Sequence, residues 1–177
     1  MGTALAVKFI QEDMVTQIQQ ERIETARLAL VPLDQEQAQA VLDGDLSVVE
    51  HTAGWPHADT RDALRMATNA ESPWPVWLIL ADGVVIGDCG VAGGIDDDGD
   101  VDIGVGLANE WRGRGYGTET ILALSHWLMQ QASVRRVVAR DVLADNAASR
   151  HALEKAGFSL ESTGEGVVSY ALNVSER

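Results

Sequence analysis

Glycines and arginines are concentrated in one short segment, residues 111–119, with the sequence WRGRGYGTE. An apolar strand is predicted before it at 101–107, and apolar residues at helical spacing follow it. A glycine-rich turn at a helix start exposes backbone N–H groups and the positive end of the helix dipole, which together bind phosphate. Arginine side chains add positive charge at such a site. The segment therefore predicts a site for a ligand that carries a diphosphate.

The strand at 101–107 has two unlike faces. Apolar side chains occupy one face, and the alternation places Asp102, Gly104 and Gly106 on the other. Glycines on a strand face mark a close approach by another group, which is either a ligand or a packed helix. We favour the ligand, because the predicted phosphate site follows directly.

Two familiar nucleotide loops do not fit this segment. The spacing of Gly113, Gly115 and Gly117 departs from the dinucleotide-binding fingerprint, and no suitable acidic residue ends a second strand. The Gly-Lys-Ser/Thr ending of a triphosphate-binding loop is also missing. A nicotinamide dehydrogenase is therefore a poor interpretation.

The pattern Arg112-x-x-Gly115-x-Gly117 resembles the acetyl-coenzyme A motif of the GNAT superfamily of N-acetyltransferases. The resemblance extends, in the same order along the chain, to the branch that acetylates ribosomal-protein N-termini on alanine. It covers about residues 25–174, and its segments are 25–30, 102–105, 115–119, 146–149 and 153–158.

This resemblance implies an α/β fold of the α+β type, the GNAT fold. Its mixed, mostly antiparallel sheet has six to seven strands, is flanked by helices and is splayed between the family's fourth and fifth strands. Those strands correspond here to the patterns at 101–107 and 137–142. Residues 25–177 are expected to form a single acetyltransferase domain, and residues 1–24 an N-terminal extension that is helical or partly a tag remnant.

The resemblance also implies a reaction, the transfer of an acetyl group from acetyl-CoA to a primary amine by direct attack in a ternary complex. The loop N–H groups would hold the diphosphate, the N–H near Leu107 would polarise the thioester carbonyl, and Asn146 would bond the pantetheine or acetyl region. The implied cofactor-binding residues are Leu107, Arg112, Gly113, Arg114, Gly115, Tyr116, Gly117, Thr118 and Asn146.

The implied catalytic residues are Asp102, Ser149 and Glu119. Asp102 is the expected base, acting directly or through a water, with Glu119 as the alternative; in its other interpretation Glu119 complements the helix dipole. Many members of the superfamily use a tyrosine as the general acid at the position where this chain has Leu153. Ser149 would then face the thiolate, although a small packing residue is an equal interpretation.

Several other groups have a structural and a functional interpretation. The acidic segment 96–100 lacks the ligands of an EF-hand and fits a solvated hairpin tip. The histidines show no metal-ligand spacing, so no metal is expected. The tryptophans on the predicted acceptor side and the arginines after residue 134 are either site residues or structural ones; they are Trp55, Trp74 and Trp77, and Arg135, Arg136 and Arg140.

Composition and net charge limit the classes of partner that the protein can bind. With 177 residues, a hydrophobic content of 46% and a net charge of -14, the chain fits one soluble domain that binds no nucleic acid directly. No membrane segment or signal peptide is seen, so a cytoplasmic location is expected. The expected partner is an amine acceptor: a protein N-terminus, a polyamine or an aminoglycoside. A homodimer and an acetyl-CoA-binding regulatory domain without turnover stay open.

Overall fold

The computed structural model describes residues 21–68 and 73–173. Its centre is an eight-stranded sheet with the order β1-β2-β3-β4-β5-β6-β8-β7. The strands are β1 Ile23–Glu24, β2 Ala29–Pro32, β3 Trp77–Ala81, β4 Val84–Ala92, β5 Asp100–Leu107, β6 Arg136–Leu143, β7 Ser159–Thr163 and β8 Val167–Asn173. The helices are α1 Gln35–Asp43, α2 Ala58–Thr68, α3 Tyr116–Leu128 and α4 Ala147–Lys155.

The predicted fold class is confirmed, but the sheet is larger than the six to seven strands expected. The added strand is β1, whose Ile23 pairs with Leu30 of β2. It lies in the segment assigned to the N-terminal extension, and a two-residue strand is too short to show an alternating pattern. Residues 1–20 of that extension lie outside the described residues.

The splay between the family's fourth and fifth strands is present between β5 and β6. These two strands pair in parallel only from Asp100 to Asp102, opposite Arg136 to Val138. On its other side, β5 pairs with β4 in antiparallel register from Asp102 to Leu107. The β6 side of residues 103–107 is therefore an open strand edge.

Local sequence signals account for most helix ends. Asp34 caps α1 in a capping box with Gln37, and α1 ends at Gly44 in the left-handed conformation. Residues 46–57, which join α1 to α2, form turns and irregular loop. Gly54 has a φ of 85° there, which lies outside the α-helical range, and the peptide bond between Trp55 and Pro56 is cis.

The helices cover opposite faces of the sheet. Leu124 of α3 and Leu153 of α4 pack into a core cluster with Ile103 of β5. On the other face, Val41 of α1 and Leu64 of α2 pack into a second cluster. The face of β5 that carries Gly104 and Gly106 is thereby directed towards α2. Among the described residues, no helix is long and apolar enough to cross a membrane.

Candidate active site

The segment between β5 and α3, here called the glycine loop (residues 112–118), has the backbone that its glycines predict. Gly113 and Gly115 have φ angles of 75° and 81°, and Gly115 is the N-cap of α3. Both angles lie in the region that non-glycine residues rarely adopt. A Cβ on Gly113 would meet nothing within 4 Å. The loop therefore presents its backbone to open space at the N-terminus of a 13-residue helix.

Arg27, which lies between β1 and β2, holds the glycine loop through several contacts. Its Nη1 donates to the Arg114 carbonyl at 3.0 Å, and its guanidinium stacks over the Tyr116 ring, 4.5 Å from the centroid. Its Nε donates to Glu119 Oε2 at 2.7 Å. Thr25 Oγ1 donates to the same carboxylate at 2.6 Å. The loop conformation is thus tied to residues almost a hundred positions earlier.

Glu119 is placed as the anchor of this brace. Partial burial opposes its ionisation, but the hydrogen bonds from Thr25 and Arg27 outweigh it and lower the pKa of Glu119. A carboxylate held ionised by such partners is a weak proton acceptor. The role of Glu119 as a base stays a prediction, and its contacts favour positioning of the loop.

The two loop arginines contact their own neighbourhood. Arg112 Nε donates to the Leu107 carbonyl at 3.0 Å. The Arg114 guanidinium lies 5.0 Å from the centroid of the Trp111 ring. Gly117 lies beside the strand end, since a Cβ there would be 3.8 Å from Leu107 Cδ1. These contacts place the loop directly against the end of β5.

The backbone N–H of Leu107 faces the splay. The next residue, Ala108, donates its N–H to the carbonyl of Ile86 in β4, at 2.9 Å. Because successive residues of a strand direct their N–H groups to opposite sides, the Leu107 N–H points away from β4. The predicted donor for a thioester carbonyl is thereby directed to the open edge.

Asp102 lies where β5 and β6 part. Its Oδ1 accepts a hydrogen bond from the Arg140 N–H at 3.0 Å. Burial raises the pKa of Asp102, although that hydrogen bond and the charge of Arg140 act in the opposite direction. The carboxylate therefore tethers the divergent strand β6, and its role as the base stays a prediction.

The two predicted site residues at the start of α4, Asn146 and Ser149, are linked by a hydrogen bond. Asn146 is the N-cap of α4, and its Oδ1 accepts from the Ser149 N–H at 3.1 Å. Asn146 is exposed and Ser149 is half-buried. These positions follow from helix capping, and their contacts with a cofactor stay predictions.

A pocket of about 360 Å³ lies between α2 and the glycine face of β5; we call it the α2 pocket. Apolar side chains form part of its wall, and carboxylates of α2 and β4 lie around it. The apolar lining includes Met66, Trp74 and Val76, and the carboxylates are Asp59, Asp62 and Asp88.

Asp88 of β4 is a buried carboxylate in the α2 pocket that the sequence interpretation missed. The residue is 5% exposed, and its Oδ2 accepts hydrogen bonds from Trp55 Nε1, at 2.8 Å, and from Thr60 Oγ1. Burial raises the pKa of Asp88, opposed by those hydrogen bonds and by nearby His57. The available signal was an acidic residue inside an apolar strand pattern.

His57 lies against the glycine face of β5. Its Nδ1 accepts from the Thr60 N–H at 3.2 Å, so the ring caps the start of α2. Its Nε2 lies 3.8 Å from Asp88 Oδ2 and where a Cβ on Gly106 would collide with it. The expectation of a face open to a ligand thus holds at Gly104, where a Cβ would meet nothing within 4 Å, and fails at Gly106.

His57 also borders a second pocket of about 260 Å³, lined by Leu107 and Arg112 among others. The ring therefore stands between the α2 pocket and the end of β5 that the glycine loop touches. The residues that would meet a cofactor and those of the α2 pocket are brought to the two sides of one side chain.

The remaining ambiguous groups have structural contacts. Arg136 forms ion pairs with Asp100 and Glu161, and Arg140 with Asp96 and Asp100. Trp77 is fully buried. Within the two described ranges, no group of three or more His, Cys, Asp or Glu residues lies together in a way that could hold a metal ion.

Comparisons with known proteins agree with this geometry. A family model described as "Acetyltransferase (GNAT) domain" matches residues 27–159. The uncharacterized N-acetyltransferase YjdG of Bacillus subtilis (strain 168) is 28% identical over 151 residues, which cover 78% of this chain and 89% of that protein.

Solved structures share the fold. The ribosomal L7/L12 alpha-N-protein acetyltransferase RimL, in complex with coenzyme A, has a TM-score of 0.64 at 19% identity, covering 87% of this chain and 98% of that one. The microcin C7 self-immunity acetyltransferase MccE, in complex with acetyl-CoA and AMP, has a TM-score of 0.61 at 18% identity, covering 85% and 94%. Because the family model matches well over half of the sequence, the chain is an acyltransferase that belongs to the GNAT acetyltransferase family.

Proposed function

We propose that this protein transfers the acetyl group of acetyl-CoA to a primary amine by direct attack in a ternary complex. The observation that carries the proposal is the junction of the glycine loop with the open edge of β5. Left-handed Gly113 and Gly115 expose backbone at the start of α3, and the Leu107 N–H faces the splay. The neighbours bound to coenzyme A or acetyl-CoA support the choice of co-substrate.

The residues present fit such a cofactor. The backbone of residues 113–118 would hold the diphosphate at the positive end of the α3 dipole, where Arg112 and Arg114 add charge. The unpaired edge of residues 103–107 would pair with the pantetheine arm as an added strand would. Acetyl-CoA supplies the acetyl group as a thioester. The Leu107 N–H would donate to its carbonyl oxygen, where negative charge develops during attack.

The resemblance to the family proposes Asp102 as the base and Ser149 as the residue on the thiolate side, with Asn146 beside the pantetheine. Asp102→Asn tests the first role sharply, because an amide oxygen still accepts the Arg140 N–H. A base at this position predicts a fall in kcat with an unchanged KM for acetyl-CoA. An unchanged kcat would remove Asp102 from proton transfer.

The acceptor is proposed to be a protein N-terminus or a small cationic amine. RimL, an alpha-N-protein acetyltransferase of L7/L12, supports the first. The carboxylates of the α2 pocket support a cation in general, including polyamines and aminoglycosides.

A second candidate is a domain that binds acetyl-CoA without turnover. The observation that favours it is Leu153, which is 4% exposed in the core at the position where many family members carry a tyrosine. The function test is thiol release from acetyl-CoA with N-terminal peptides, polyamines and aminoglycosides. Turnover on any amine supports the transferase, whereas tight cofactor binding with no turnover supports the binding domain.

A further inference from the structure

We propose that Asp88 binds the ammonium group of the acceptor at the floor of the α2 pocket and removes a proton from it. This inference rests on the acetyl transfer proposed above. It assigns the acceptor a chemical class, a primary ammonium with an apolar arm. It also assigns the base to β4, away from Asp102.

The hydrogen bonds of Asp88 leave one of its oxygens available. Both Trp55 Nε1 and Thr60 Oγ1 donate to Oδ2, and no described residue donates a hydrogen bond to Oδ1. Those donors fix the carboxylate plane, so that the second oxygen is held in the pocket wall rather than free to rotate. A buried carboxylate that keeps an open acceptor is costly unless a cation completes it.

The neighbouring ring is arranged as a donor, which leaves the proton-accepting role to Asp88. The Thr60 hydroxyl donates to Asp88, and the Thr60 N–H donates to His57 Nδ1. A neutral His57 therefore carries its proton on Nε2. It could accept another only at Nδ1, by giving up the cap of α2. The N–H on Nε2 is buried against Gly106, 3.8 Å from Asp88 Oδ2, so His57 offers no lone pair on this side.

The pocket complements an ammonium with a carbon chain. Exposed Asp59 and Asp62 of α2 add negative charge around the buried carboxylate. Met66, Trp74 and Val76 give the cavity an apolar wall that suits methylene groups. The volume of about 360 Å³ accommodates a short arm.

The position suits attack on a thioester at the open edge of β5. Asp88 is the register partner of Gly106, next to Leu107 whose N–H faces the splay. The His57 ring lies over Gly106, and its Nε2 is 3.8 Å from Asp88 Oδ2. An amine bound at Asp88 would approach β5 beside Gly104, where the face is open.

The proposed reaction moves two protons and one acetyl group. Asp88 Oδ1 takes one proton from R–NH3+, and the freed nitrogen lone pair attacks the thioester carbon. The new C–N bond forms and the C–S bond breaks. A second proton leaves the nitrogen and is taken up by the coenzyme A thiolate. Asp88 then returns its proton to solvent, which regenerates the carboxylate.

The environment of Asp88 suits proton transfer. Burial raises its pKa towards that of the amine, and this reduces the energetic gap of the transfer. The titratable groups that face it are His57, which precedes α2, and Asp59 and Asp62 of α2, together with its chain neighbour Cys89. Opposite it, β5 contributes only Gly106.

The test compares wild-type protein with Asp88→Asn, and uses Asp97→Asn, at an exposed position between β4 and β5, as the control for a lost negative charge. The amide keeps an oxygen for Trp55 and Thr60 but cannot take a proton. The first measurement is binding to the coenzyme A complex by calorimetry, with n-hexylamine, an alanine tripeptide amide and neutral 1-hexanol as probes. Wild type and Asp97→Asn should prefer the amines to the alcohol, and Asp88→Asn should lose about tenfold or more of that preference. Equal amine affinity in Asp88→Asn would overturn the site.

The second measurement is kcat and its pH profile with whichever amine turns over. Asp88→Asn should lower kcat by about 100-fold or more, leave the KM for acetyl-CoA within a factor of about two, and remove the acidic limb of the profile. Asp88→Glu should restore part of kcat. Wild-type kcat in Asp88→Asn would overturn the proton transfer. If no amine turns over with wild type, the acetyl transfer and the proton step both fail, and the binding measurement alone decides the ammonium site.

Discussion

The two halves of the site, the glycine loop and the α2 pocket, differ in the kind of group that they present to a ligand. On the side of the glycine loop, the groups directed outwards are backbone N–H groups at glycines with positive φ, braced from behind by the half-exposed Arg27. On the side of the α2 pocket, the functional group is a buried side chain, Asp88, whose partners come from a turn and a helix. A backbone cradle tolerates changes of side chain but not of backbone shape. A side-chain network depends instead on the chemical identity of each of its members.

Among the substitutions that separate the two halves of the site, Gly115→Asp should have the largest effect. The residue is the N-cap of α3 at a φ of 81°, and a Cβ would lie 3.3 Å from Arg27 Nη2. The new carboxylate would also occupy the positive helix end and repel the diphosphate proposed to bind there. We therefore expect the affinity for coenzyme A to fall by about 100-fold or more.

The control for Gly115→Asp is Gly83→Asp. Gly83 has nearly the same φ, 84°, but lies in the hairpin between β3 and β4. It shares the backbone strain without the phosphate site, so coenzyme A binding measured by calorimetry should stay within about twofold of wild type. Equal losses in both variants would attribute the effect to folding and would remove the glycine loop from cofactor binding.

The paired variants Gly106→Ala and Gly104→Ala test whether His57 must lie over β5. A methyl on Gly106 would collide with His57 Nε2, whereas one on Gly104 would meet nothing within 4 Å. The ring would have to leave its cap on Thr60 in the first variant only. We expect kcat to fall by about tenfold in Gly106→Ala, and we expect Gly104→Ala to leave the His57 ring in its place.

The imidazole C–H signals of His57 in NMR spectra report whether the ring has moved. They should shift in Gly106→Ala and stay at their wild-type positions in Gly104→Ala. A moved ring with a wild-type kcat would show that His57 does not separate the two halves functionally.

The same contrast explains which half could be predicted from the sequence. Residues 112–118 act through local backbone shape, so their glycine spacing is visible in one stretch of chain. The capped start of α4 is also a local feature, whereas the splay between β5 and β6 was expected only from the resemblance to the family. The network of Trp55, His57, Thr60 and Asp88 joins separate segments, and no spacing records that juxtaposition. The collision between His57 and a side chain on Gly106 likewise exists only once α2 is packed on the sheet.

Glu119→Gln separates a positioning residue from a base. The amide would still accept from Thr25, but it would lose the ion pair with Arg27 that braces the loop. We expect the KM for acetyl-CoA to rise by about three- to tenfold while kcat stays within about twofold.

The control for Glu119→Gln is Glu24→Gln, which removes the exposed ion pair with Arg22 and should change neither constant. The opposite result for Glu119→Gln, a collapse of kcat with an unchanged KM, would support Glu119 as the base. It would also place the chemistry on the loop side of the site.

The smallest expected effect is on the stability of Asp88→Asn, which should rise although its activity falls. Burial raises the pKa of Asp88 in the folded protein above its value in the unfolded chain. Folding therefore favours the protonated form, and the stability that this form contributes is lost as the pH rises through the folded-state pKa. Asparagine has no such dependence, yet keeps an acceptor for Trp55 and Thr60.

We therefore expect the melting temperature of Asp88→Asn, relative to wild type, to increase from acidic to neutral pH. The gain should reach a few degrees, which is the scale on which a change of about 1 kcal/mol acts in a domain of this size. Thermal melts at matched ionic strength across that range measure it, with Asp97→Asn as the control for net charge. A variant that is inactive but more stable would show that the carboxylate is retained for chemistry at the expense of the fold. A variant that is less stable at neutral pH would instead mark Asp88 as a structural link between α2 and β4.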